Sequence, residues 1–101
     1  ERIAIDPGLG FGKSRGGNLL LLGALERFTD LGCPLVVGAS RKSFIWKTLG
    51  LTAEESLAGS LAAAICAVGA GARVLRVHDV AATQQAVQLI DAVHEEITAS
   101  C

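Results

Sequence analysis

Methionine and tyrosine are absent from this 101-residue chain, tryptophan occurs once and phenylalanine three times. A bulky aromatic core is therefore excluded. Sixteen alanines and twelve glycines point instead to helices and strands packed at close range. Cys33, Cys66 and Cys101 are widely spaced, with no CxxC pair and no Cys/His cluster, which argues against a structural zinc site. Their odd number and the lack of a signal-peptide pattern predict a reducing, cytoplasmic setting. Cys66 lies in an Ala-rich apolar run and is expected in the core. Charge of one sign is not in excess: nine Lys/Arg against ten Asp/Glu give a net charge of −1. No basic field argues for nucleic acid or an anionic membrane as partner. The longest uncharged run, Ser56 to Ala72, is shorter than the roughly 20 apolar residues of a membrane span and is built from Ala and Gly rather than Leu. It predicts a buried helix. Disorder is excluded by a chain that is 50% hydrophobic and 19% charged.

What is present is one small domain's worth of chain. It opens on Glu1 without an initiator methionine, almost directly on a strand, and is expected to be a piece of a longer protein. Its charges are uneven. Residues 1–50 hold seven Lys/Arg against four Asp/Glu, and residues 51–101 hold two against six, so an anionic ligand is expected in the first half.

Strand and helix signals alternate. Ile3-Ala4-Ile5 predicts a strand closed by the turn residues Asp6-Pro7-Gly8. A Gly-rich loop follows to Gly17, and Asn18 is expected to cap a helix over 19–31, stopped by Gly32. Leu35-Val36-Val37 predicts a second strand ending at Gly38-Ala39-Ser40, followed by a short helix over 41–49. Thr52 and Glu55 form a capping box for a helix running to about Ala70. Val74-Leu75-Arg76-Val77 predicts a third strand, and residues 80–98 a last helix with an apolar stripe of Ala86, Ile90, Val93 and Ile97. The strands are continuous apolar runs, as in a parallel sheet covered on both faces. The fold class read from this pattern is α/β, with three consecutive parallel βα units.

Each predicted strand ends in polar residues, and parallel α/β folds bind ligands at the carboxyl ends of their strands. Asp6 can form a turn, or can accept a pair of N–H groups from a flat heterocycle. The GLGFGK run is not a phosphate loop, because Pro7 occupies the position of the first required glycine. It reads as a tightly turned loop that presents Phe11 to an aromatic ligand or tucks it into the core. Arg41-Lys42-Ser43 marks a handover from strand to helix, where backbone N–H groups favour anions. Lys42 can donate to a ring nitrogen or carbonyl, and Arg41 can line the rim or remain solvated. Arg76 and His78, two apart on the predicted strand, share a face suited to a diphosphate or carboxylate. A structural His78–Asp79 pair is the competing reading. Trp46 is expected to pack on the following helix, His94 to be solvated, and Lys13 and Arg15 to screen an anion or face solvent.

Three of these runs, Asp6-Pro7-Gly8-Leu9-Gly10-Phe11-Gly12-Lys13, Gly38-Ala39-Ser40-Arg41-Lys42-Ser43 and Arg76-Val77-His78-Asp79-Val80, closely resemble the dihydropteroate synthase family in order and separation. The intervening Gly59-Ser60-Leu61-Ala62-Ala63-Ala64 is similar too, so the resemblance covers essentially the whole chain. It implies a (β/α)8 TIM barrel of which residues 1–101 are the carboxyl-terminal segment, the N-terminal strands being absent. It implies condensation of 4-aminobenzoate with 6-hydroxymethyl-7,8-dihydropterin diphosphate to dihydropteroate and pyrophosphate, in folate biosynthesis. By this resemblance Lys42, Arg76 and His78 are the catalytic residues. Asp6 holds the pyrimidine edge of the pterin, Lys42 its carbonyl and N5 side, and Arg76 and His78 the diphosphate. Phe11 and Arg41 flank the aminobenzoate ring, Ser43 receives its carboxylate, and Gly38 and Ser40 complete the substrate-binding set. Mg2+ is implied as cofactor, held by an Asn on a strand outside these residues, with no metal ligand expected within the chain. Sulfonamides are implied ligands, and a homodimer is implied for the full-length family. Three other readings remain: the pterin-binding barrel of a corrinoid methyltransferase, a non-catalytic truncated barrel module, and a general α/β phosphate-binding domain. The 101-residue chain alone is expected to show little turnover.

Overall fold

Leu35–Val37 (β1) and Ala72–Leu75 (β2) lie side by side as parallel strands, pairing Leu35 with Ala72, Val36 with Val74 and Val37 with Leu75. They belong to a computed structural model that describes residues 6–10, 14–29, 32 and 34–100. The segment Ile3–Ile5, expected as a further strand, lies outside the described residues, as do Phe11 and Lys13. The element order is α1 (Arg15–Gly23), α2 (Glu26–Thr29), β1, α3 (Ser43–Leu49), α4 (Leu57–Gly69), β2 and α5 (Val80–Ser100). This is an α/β fold with two parallel strands among the described residues. The three βα units expected from the sequence are not all represented there.

Several boundaries depart from expectation, each for a local reason. The first helix begins at Arg15 rather than Leu19, because Ser14 is its cap and accepts the Gly17 N–H on its side chain. Asn18 is not a cap but a buried helix residue. The helix also breaks at Ala24, whose N–H bonds back to Leu20 and Leu21, so 15–29 is two helices. The Thr52–Glu55 capping box forms as expected. It closes a single 3-10 turn over Ala53–Glu55, however, and α4 starts only at Leu57. The strand β2 spans Ala72–Leu75 instead of 74–77, so neither Arg76 nor His78 is a strand residue. The last backbone bond between the strand segments runs from Arg76 N–H to Val37 C=O.

The core is formed by Leu9, Leu25, Leu35, Val37, Ala39, Phe44, Ile45, Ala63 and Ala67. Helix α4 turns Ser60, Ala63, Ala64 and Ala67 inward, a spacing that lies on one helical face. Small residues there allow close approach: a Cβ at Gly59 would meet Ile45 Cγ2 and Leu49 Cδ1 at 2.7 Å. Cys66 lies off this face and is exposed, which corrects its placement in the core. The stripe on α5 is likewise only partly covered. Ala86 and Ile90 are half-buried, whereas Val93 and Ile97 are exposed. Trp46 is half-buried with the Lys47 ammonium 5.6 Å from its ring centroid, and His94 is exposed as expected. No helix among the described residues is long and apolar enough to cross a membrane.

Candidate functional site

Past the last ladder bond, side chains carry the strand register onward. Val36 and Val37 are offset from their partners Val74 and Leu75 by 38 residues. Ser40 meets His78 and Arg41 meets Asp79 with that same offset of 38. Gly38 lies against Arg76, where a Cβ would stand 3.0 Å from Nε and 3.1 Å from the terminal nitrogen. Glycine at 38 thus lets the guanidinium cross the backbone.

Arg76 reaches Asp6 and pairs with its Oδ2, while Asp6 Oδ1 accepts the Gly8 N–H at 2.9 Å. This Asx turn orders Asp6-Pro7-Gly8 and sets Leu9 into the core at 2% exposure. The Leu9 carbonyl accepts from Lys42 Nζ at 3.3 Å. Gly10, at φ 86°, passes beneath the Lys42 stem, and a Cβ there would lie 2.7 Å from Lys42 Cδ. Asn18 holds this segment from the other side. Its Oδ1 accepts the Gly10 N–H at 2.7 Å, and its Nδ2 donates to the Ser14 carbonyl at 3.0 Å.

The turn after β1 is fixed by three contacts. Arg41 adopts the left-handed conformation, φ 55°, and is the non-glycine residue that does so among the described residues. Its N–H donates to Ser60 Oγ at 2.9 Å, and its guanidinium bonds both oxygens of Asp79, at 2.8 and 3.3 Å. Asp79 holds the Arg41 guanidinium above its already high ordinary range, first by hydrogen bonding and then by charge, so it stays ionised. Lys42 returns to extended backbone and Ser43, exposed, begins α3. The left-handed turn explains why the helix starts two residues later than the sequence suggested.

His78 pairs with Ser40, not Asp79: Ser40 Oγ lies 3.0 Å from His78 Nδ1. The described residues therefore bring Asp6, Gly38, Ser40, Lys42, Arg76 and His78 into one linked set, with Arg41 beside it on Asp79 and Ser43 at the adjoining helix start. Phe11 lies outside the described residues. Asn18 and Ser60 hold the site's backbone, a role the sequence did not suggest, and Asp79, read from the sequence as a partner of His78, holds Arg41 instead. The available signal for Ser60 was a lone hydroxyl on the Ala63, Ala64, Ala67 face of α4.

Two cations, an imidazole and one carboxylate suit an anion joined to a hydrogen-bonding ring. Between Ser40, Ser60 and Arg76 the remaining space is only about 10 Å³, roughly that of a single water molecule. No three His, Cys, Asp or Glu side chains gather into a metal-holding group among the described residues.

The family model for pterin binding enzymes matches residues 1–78. The chain belongs to the pterin-binding enzyme family. The relatives it matches include dihydropteroate synthases. That of Escherichia coli strain K12 is 45% identical over 92 residues, which cover 91% of this chain and 33% of the relative. The structure of Xanthomonas albilineans dihydropteroate synthase in complex with 7,8-dihydropteroate matches with a TM-score of 0.87 at 48% identity, over 90% of this chain and 35% of that one. The same enzyme with 4-aminobenzoic acid matches at 48% identity and a TM-score of 0.87, over 90% of this chain and 34% of that one. The chain spans about a third of the length of the curated relatives it matches.

Proposed function

We propose that this chain is the carboxyl-terminal part of a dihydropteroate synthase, contributing the last βα units of a (β/α)8 barrel. The reaction joins 4-aminobenzoate to 6-hydroxymethyl-7,8-dihydropterin diphosphate. The observation that carries this reading is the convergence of Asp6, Lys42, Arg76 and His78 at the carboxyl ends of β1 and β2. The Xanthomonas relatives, whose complexes hold 4-aminobenzoic acid and 7,8-dihydropteroate, support the same substrates. High identity to synthases favours this reading over a corrinoid methyltransferase.

The chemistry follows from the residue types. The aminobenzoate nitrogen attacks the pterin methylene carbon, the C–O bond to the diphosphate breaks with its electron pair on the leaving oxygen, and the nitrogen sheds a proton. Negative charge grows on the diphosphate as that bond breaks. Arg76 and His78, fixed beside Gly38 and Ser40, donate to the oxygens that gain the charge, which favours the transition state over the ground state. Asp6 accepts the N–H pair of the pterin's pyrimidine edge, and Lys42 donates to its carbonyl and N5 side. Ser43 and the start of α3 receive the aminobenzoate carboxylate, with Phe11 and Arg41 flanking the ring. The electron-rich pterin carries the developing methylene cation, so no protein nucleophile is required. Cysteine usage supports a cytoplasmic location, and the exposed apolar helix faces support a homodimer.

The test is a titration of pterin diphosphate followed by Trp46 fluorescence, with Lys42→Ala as control. Saturable binding that the variant loses supports the assignment. Equal binding by both chains removes Lys42 from the pterin site.

A further inference from the structure

The Ser40 hydroxyl is fully engaged within the protein. Its Oγ accepts the His78 backbone N–H at 3.2 Å and lies 3.0 Å from His78 Nδ1. Ser40 is 7% exposed, and no other group among the described residues bonds its Oγ. A serine hydroxyl has one proton and two lone pairs. One lone pair takes the backbone N–H. The proton then needs an acceptor, because a buried hydroxyl proton left without one is costly. The acceptor within reach is Nδ1. If Nδ1 carried the ring proton it would instead donate to Oγ, and the hydroxyl proton would have no partner among the described residues.

We infer that Ser40 is a positioning residue that fixes the neutral His78 ring as the Nε2–H tautomer. A neutral imidazole has a single N–H, so an Nδ1 that accepts leaves Nε2 as the donor. The ring is exposed, and its Nε2 edge is turned away from the nitrogen that Ser40 occupies. Resting on the synthase reading, the ligand of that N–H is a diphosphate oxygen, which accepts hydrogen bonds and cannot use a lone pair. The opposite tautomer would present a lone pair to that anion. Ser40 thus serves the leaving group through His78 rather than by touching substrate.

The chain contains two histidines, His78 and His94, and His94 is exposed on α5, so it serves as an internal reference. The experiment is long-range proton–nitrogen correlation NMR of the full chain, labelled with 15N-histidine, at a pH where both rings are neutral. In the unsubstituted chain the His78 Nδ1 resonance is expected at the acceptor position and Nε2 at the protonated one, as one tautomer. His94 is expected to show the averaged shifts of a mixture. In Ser40→Ala the His78 shifts are expected to move to the averaged pattern, and in Ser40→Thr to stay. An Nδ1–H tautomer or a mixture in the unsubstituted chain overturns the inference without recourse to any variant. So does an unchanged tautomer in Ser40→Ala. A chain with the single tautomer that fails to bind pterin diphosphate supports the tautomer assignment and removes the diphosphate as the ligand held by these residues alone.

Discussion

The guanidinium of Arg76 and the carboxylate of Asp6 are paired across 70 residues of sequence, although the proposed function gives each a different end of one substrate. A pterin edge at Asp6 must share or replace Arg76 there. Arg76→Ala removes a charged donor from the diphosphate, an interaction of about 1.5–3 kcal/mol, and frees Asp6. Calorimetry is expected to show pterin diphosphate binding weakened roughly ten- to a hundredfold, while a pterin lacking the diphosphate binds as well or better. Asp6→Ala is expected to weaken both ligands. Equal weakening of both ligands by Arg76→Ala would remove Arg76 from the leaving group.

Gly10→Ala places a methyl group 2.7 Å from Lys42 Cδ, at a left-handed backbone position. The flexible lysine stem yields more readily than the backbone. The variant is expected to lose pterin affinity roughly tenfold, the effect of about 1.4 kcal/mol, with its ammonium displaced from the Leu9 carbonyl. Parallel pterin titrations of Gly10→Ala and Lys42→Ala check this, since both should weaken the same ligand and leave aminobenzoate binding less affected.

Ser60→Ala leaves the Arg41 N–H without its hydroxyl partner at a turn already held at φ 55°. Loss of such a bond costs about 0.5–1.5 kcal/mol, to be read as a lowered urea midpoint. Arg41→Gly is expected to unfold at higher urea than Arg41→Ala, because glycine alone adopts this conformation without steric cost. The reverse order would mean the turn relaxes to an ordinary conformation once the side chain is shortened.

Gly59→Ala drives a Cβ into Ile45 Cγ2, which is 6% exposed and has little room to move. Overpacking of this kind costs about 1–3 kcal/mol, set against roughly 1 kcal/mol gained from alanine's better helix propensity. A net loss of about 1 kcal/mol is expected from thermal unfolding. Gly69→Ala, which meets nothing within 4 Å, should not show that loss and serves as its control.

The alternating apolar runs and the polar strand ends made the α/β class and most of the candidate site legible in the sequence. What the sequence concealed was three-dimensional. Asn18 looks like a cap because glycines precede it and leucines follow, yet Ser14 takes that role and Asn18 turns inward to hold Gly10. Arg41 looks like the first helical residue until Ser60 and Asp79, far along the chain, fix it in a left-handed turn. Arg76 reads as a strand residue by composition, but the ladder stops at Leu75 because Gly38 has already left β1. The α5 stripe and Cys66 were misplaced for a common reason: periodicity identifies a helix face without saying whether anything packs against it.

The shared offset that runs from Val36 to Arg41 gives the site a place in the order of folding. Joining β1 to β2 closes a long loop, and that entropy is lost once, when the first apolar pair meets. Each later pair then forms at small extra cost, in the manner of a zip. Ser40–His78 and Arg41–Asp79 are the outermost teeth, more exposed to water than the buried Val37 behind them. They are expected to be the first pairs to lose protection in amide hydrogen exchange. Fraying at that end of the ladder leaves the apolar pairs below it shut.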